Sequence, residues 1–67
     1  MKKYMKNEFY KKCINLINEN KSFVIELECG ESKLFERNSI IYNKKDLKFF
    51  FNLFDLLEDV IVNVKEV

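Results

Sequence analysis

Histidine, proline and tryptophan are absent from this 67-residue chain, and glycine occurs once, at Gly30. Without histidine there is no imidazole base near neutral pH, no nucleophile–histidine triad of the usual kind and no two-cysteine, two-histidine zinc site. With no proline and a single glycine, sharp turns are few. The only cysteines, Cys13 and Cys29, are too few and too far apart to frame a metal site by themselves. They read as small buried apolar residues of a reduced protein, although sequence alone leaves a disulfide between them open. Arg37 is the one arginine among twelve cationic side chains, a poor supply for a specific nucleic-acid surface.

Long uninterrupted hydrophobic runs are also missing. The most apolar stretch, Phe49 to Val64, is broken by Asp55, Glu58 and Asp59, so it does not read as a membrane span. The basic start lacks the apolar stretch of a secretory signal, because charges recur at Lys6, Glu8, Lys11 and Lys12. The expectation is a cytoplasmic protein with no membrane partner.

What is present describes a folded domain. The chain is 48% hydrophobic and 34% charged, which is globular rather than disordered. It reads as one domain over residues 1–67, with a frayed basic N-terminus at 1–5. A chain this short buries only about 60% of its unfolded surface, so every large apolar side chain matters.

From about Asn7 to Asn18, Phe9, Tyr10, Cys13, Ile14, Leu16 and Ile17, with Met5 before them, share one half of a helical wheel. Asn7 is a suitable N-cap, with Glu8 in the first turn. The period then changes to two. Phe23, Ile25, Leu27 and Cys29 alternate with Val24, Glu26 and Glu28, the pattern of a strand with one dry and one acidic face. Gly30 and Glu31 supply a turn, and a second strand is expected from Ser32 to Arg37. Asn38 and Ser39 interrupt the pattern before Ile40, Ile41 and Tyr42. A bulge in one long strand is the preferred reading, and a turn before a further short strand is the other. Asn43 then caps a second helix from Lys44 to about Glu58, with Asp46 near its amide-rich end. Val60, Val62 and Val64 alternate in a last strand. The fold class is therefore α+β, a small two-layer domain of order α-β-β-α-β. Two helices cover one face of a mostly antiparallel three-stranded sheet, or a four-stranded one if residues 40–42 add a strand.

The second helix is apolar over more than half its circumference, because Phe49, Phe50 and Phe51 are consecutive. Leu53, Phe50, Leu57 and Phe54 form the centre of the apolar arc on the wheel. Phe49 and Leu56 occupy one flank, Leu47 and Phe51 the other. Packing against the first helix should cover one flank, which leaves at most one pair for a partner or for a second copy of the chain.

Charge is unevenly placed. Residues 1–21 carry six lysines against two glutamates, within a net charge of +1 for the whole chain. Lys6, Lys11 and Lys12 are the candidates for contact with a phosphate backbone. Glu26 and Glu28 repeat about every 6.6–6.8 Å along a strand, close to the spacing of successive nucleic-acid phosphates. Glu31 and Glu36 continue that acidic row around the hairpin. A chemical role for Glu26, Glu28, Lys33 and Arg37 facing each other across the hairpin is the weakest reading, since cross-strand ion pairs explain the same residues. No catalytic residue, metal or cofactor is assigned, and the chain is read as not an enzyme.

Abundant Lys, Asn, Ile and Phe point to an AT-rich bacterial or phage genome. In size and composition, and in no residue motif, the chain is similar to the small inhibitors that phages use against host defence, anti-CRISPR proteins among them. That resemblance implies a non-enzymatic protein that binds a larger protein or nucleoprotein complex of a nucleic-acid-processing defence system. Phe49, Phe51, Leu56, Glu26, Glu28, Glu31 and Glu36 are the candidate contact residues for such a partner. Two other readings are a nucleic-acid-binding regulator that uses the lysine-rich first helix, and a structural homodimer.

Overall fold

Apolar side chains recurring every three or four positions from Phe9 onward wind into α1, Glu8–Asn18, which buries Cys13 and Leu16. The computed structural model describes residues 8–67. The expected Asn7 cap, the basic tail, and the placements of Met5 and Lys6 lie outside the described residues. After α1 come β1, Phe23–Leu27; β2, Ser32–Phe35; α2, Lys44–Leu56; and β3, Ile61–Glu66. The order α-β-β-α-β is the one the sequence pattern predicts.

The central strand is β1, paired antiparallel with β2 on one side and with β3 on the other. Its alternation gives Phe23, Ile25 and Leu27 to the helix-covered face. Phe35, Leu47, Phe51, Phe54 and Val64 complete one core with Cys13 and Leu16. Phe23 and Phe35 are register partners, and their rings stack at 5.2 Å. Such cross-strand aromatic pairs are a main source of sheet stability.

The sheet departs from the expected pattern at four places. The first strand stops at Leu27 rather than running to Cys29, because a turn begins there: the Gly30 N–H donates to the Leu27 carbonyl at 3.0 Å, and the Leu27 N–H to the Glu31 carbonyl at 2.9 Å. Gly30, at φ +97°, occupies the left-handed position that this bulged hairpin loop requires. Cys29 is therefore exposed, not buried, and both cysteines are unpaired. The second strand ends at Phe35, short of Arg37. Neither a long bulged strand nor a further strand at 40–42 forms. Turns close instead through the Ser39 N–H to the Glu36 carbonyl and the Tyr42 N–H to the Ser39 carbonyl. Lastly, a register shift opposite Glu26 and Leu27 interrupts the alternation of β3. Val64 stays in the core and Ile61 packs against it, whereas Val60 and Val62 are half-exposed. The simple every-second-residue expectation fails there because a bulge inserts one extra residue.

Both helices end without glycine. At α1 the Lys21 N–H reaches the Leu16 carbonyl and the Asn20 N–H the Ile17 carbonyl, with Asn20 at φ +58°. At α2 the Asp59 N–H reaches the Phe54 carbonyl and the Glu58 N–H the Asp55 carbonyl, with Glu58 at φ +59°. These paired bonds satisfy carbonyls that a helix end otherwise leaves without a partner. They also stop α2 at Leu56, two residues before the expected limit.

Candidate functional site

The rotation of α2 about its own axis decides which apolar side chains remain uncovered. Asn43 starts the helix in extended backbone, accepting the Asp46 N–H at 2.8 Å, while its amide donates to the Asp46 carboxylate at 2.7 Å. From that start, Leu47, Phe51 and Phe54 are the buried residues of the helix. The Tyr10 ring of α1 meets the Phe51 ring edge-on at 5.0 Å, which shows the side from which α1 approaches. Phe51, expected as a flank available to a partner, is 1% exposed and belongs to the core. The buried arc is thus rotated toward α1 relative to the centre of the apolar wheel. Phe50 and Leu53 are only half-buried, and Leu57 caps the helix and is exposed. The Phe50 ring packs edge-on against Phe35 at 5.5 Å, and the Lys33 ammonium sits over it, 4.7 Å from the centroid. That cation covers part of the ring's polarisable face.

The opposite flank stays open. Phe49 is 58% exposed and Leu56 77% exposed. With Asn52 and Leu53 they line a shallow depression of about 280 Å³. Their numbers follow the i, i+3, i+4, i+7 spacing of a single helix face. Past the helix end, Leu57 and Val60 are also more than half exposed. Asn52 is the polar exception. Its Oδ1 is buried and has no hydrogen-bond partner among the described residues, a condition that costs a buried acceptor about 1–3 kcal/mol.

The acidic residues do not form one continuous row. Glu26 points to the sheet face away from the helices, where its carboxylate accepts from the Asn63 amide at 3.1 Å and lies 3.7 Å from the Lys65 ammonium. Glu28 sits in the turn after β1, Glu31 before β2 and Glu36 after it, all exposed. Among the described residues none of these three takes part in an ion pair. Lys11 and Lys12 are exposed on α1, and Lys6 lies outside the described residues.

The four residues weighed for chemistry are not gathered. Lys33 is the register partner of Ile25 and shares the helix-covered face, whereas Glu26 lies on the other. Burial pushes the Cys13 thiol up to about 12, so it is a poor nucleophile at neutral pH. Among the described residues, no group of three acidic or cysteine side chains is arranged to hold a metal ion, and no helix is long and apolar enough to cross a membrane.

Compared with protein-family models, curated proteins and solved structures, the chain matches none. The surface must be read from its own residues. Sequence reasoning named Phe49 and Leu56, and missed Asn52 and the half-exposed Val60. The spacing from Phe49 to Leu56 contained the signal for Asn52, since it lies three residues after one and four before the other.

Proposed function

We propose that this protein is a small non-enzymatic binding module that acts by protein–protein contact through the Phe49–Leu56 flank of α2. One observation carries the reading: two large apolar side chains, spaced two helical turns apart, stay more than half exposed in a chain too short to leave apolar surface unused without cost. An aromatic anchor within an apolar centre and a polar rim is the usual make-up of a protein interface. Lys45, Lys48 and Asp55 supply that rim.

The finer version is an inhibitor of a nucleic-acid-processing defence complex, and it draws on the second surface. Glu28, Glu31 and Glu36 are exposed carboxylates with no cationic partner among the described residues, which suits a basic channel. Glu26 contributes less, since Lys65 and Asn63 already engage it.

The test is affinity capture from a bacterial lysate treated with nuclease, using the wild-type chain, a Phe49→Asp/Leu56→Asp variant and a Glu28→Lys/Glu31→Lys variant. Circular dichroism checks that each remains folded. A captured protein lost with the first variant supports the flank, and one lost with the second supports the inhibitor version. Equal recovery with all three overturns both.

A further inference from the structure

We infer that the occupant of the α2 flank is a second copy of this chain, docked with its α2 antiparallel across a two-fold axis between Asn52 and Leu53. The inference rests on the reading of that flank as a protein-binding surface and names its partner.

The first observation is spacing. Phe49, Asn52, Leu53 and Leu56 form a seam with the helix-pairing repeat, and Asn52 and Leu53 are its midpoint. Turning a second copy end for end about that midpoint lays Phe49 of each chain against Leu56 of the other. The seam is therefore complementary to itself, as a two-fold interface must be.

Charge along α2 is the second observation. Lys44, Lys45 and Lys48 stand in its N-terminal half, and Asp55 stands just before Leu56, the last seam residue, near its C-terminal end. Apart from Asp46 in the first turn, this order opposes the helix dipole, which favours anions at the start and cations at the end. No ion pair among the described residues compensates Lys45, Lys48 or Asp55 within the chain. In the antiparallel arrangement Lys48 of each copy falls within about two residues of the level of Asp55 of the other and on the same side of the seam, because the two are seven positions apart along one helix edge. The unfavourable order within one chain becomes complementary between two.

Asn52 supplies the third observation. Its buried Oδ1 has no partner among the described residues, so turning the amide outward toward the axis breaks no hydrogen bond from them to that oxygen. Beside the axis, each Asn52 amide donates to the side-chain carbonyl of its counterpart. A polar residue at the centre of an apolar helix seam selects register and partner number. The seam spans only two helical turns, so the contact is smaller than the about 1,200 Å² of a standard stable interface and the dimer is a weak one.

Sedimentation equilibrium of the full chain from about 10 μM to about 1 mM covers the range expected of a weak dimer. The mass should rise toward twice that of the chain, and Phe49→Asp/Leu56→Asp should remain monomeric throughout. Lys48→Asp or Asp55→Lys alone should weaken the dimer about tenfold, since each symmetric contact is lost twice. Combining them restores the opposite-charge pairing and should bring affinity back to within about threefold of wild type. These two positions are exposed, so the charge swap remains informative even where Phe49→Asp disturbs folding. In a Cys29→Ser background, Asn52→Cys should form an intermolecular disulfide under mild oxidation faster than an otherwise unaltered Cys29 chain does. A wild-type chain that stays monomeric to about 1 mM overturns self-association, while the flank as a surface for a foreign protein is still judged by the capture experiment. A dimer that survives Phe49→Asp/Leu56→Asp, a charge swap without recovery, or a slow Asn52→Cys disulfide each overturns the docking described.

Discussion

Phe49 and Phe51 are two positions apart on one helix, yet the first is 58% exposed and the second 1% exposed. Both are phenylalanines in the same apolar run, so side-chain chemistry does not separate them. Direction does, because two helical steps turn the side chain by about 200°. Phe51 points to where Tyr10 and the core already stand, whereas Phe49 meets the neighbouring Phe50 ring edge-on at 5.5 Å and is otherwise largely open. An apolar residue thus becomes core or surface according to which neighbour the fold brings alongside.

The largest expected effect is the direct test of that contrast. Phe51→Ala should cost about 3–5 kcal/mol, enough to unfold most of so small a domain, and Phe49→Ala less than about 1 kcal/mol. Urea denaturation of the two variants measures both. Similar losses would show that the flanks are not as different as their exposure implies.

The sealed side also has a chemical signature. Cys13 lies in the core with Phe51, and burial raises its thiol from 9.0 to about 12. A raised folded-state value means stability that is whole below pH 9 and is lost as pH climbs toward 12, by about 1.4 kcal/mol per pH unit at most. Wild type should therefore lose stability over that range faster than Cys13→Ala, as denaturation at successive pH values will report. At neutral pH, a thiol reagent should label Cys29 in the native chain and both cysteines in denaturant. Immediate native labelling of Cys13 would contradict the sealed core.

Smaller effects come from the two ends of α2, which set how its flanks are aimed. Asn43→Ala removes the cap on Asp46 and its reciprocal hydrogen bond, at a cost of about 1 kcal/mol by thermal or urea unfolding. The change should destabilise the helix without favouring one flank. At the other end Glu58 holds a left-handed conformation at φ +59°, where glycine carries no side-chain penalty. Glu58→Gly should raise stability by about 0.5–1 kcal/mol, and a loss instead would mean that the Glu58 side chain holds the turn.

Most of the architecture was legible because it follows from local rules. The 3.6-residue period around Cys13 and Leu16, the alternation from Phe23 to Leu27 and the Asn43 cap each act within a few residues. The misplacements arise where one pattern meets either a local turn or a longer-range demand. Cys29 continues the alternation of β1 but lies in the turn that closes the hairpin. Val60 and Val62 alternate with Val64, yet the register against β1 admits an extra residue and moves them away from the core. At the candidate surface, Phe49 and Leu56 could be named as one flank of a wheel, but a wheel does not show which flank α1 will cover. It also grouped Phe51 with the partner-facing candidates and gave no weight to Asn52, whose orphaned Oδ1 exists only in the packed chain.

The amino-acid order alone determined the succession of helices and strands, the start of α2 and the existence of more apolar helix surface than one neighbour can cover. Those properties depend on periodicity and on hydrogen bonds between residues close in the chain. Only the tertiary structure decided that Phe51 is sealed, that Phe49 and Leu56 remain open with Asn52 between them, and that Glu26 is engaged by Lys65 and Asn63. These depend on which distant segments come together, and burial belongs to that meeting rather than to any residue by itself.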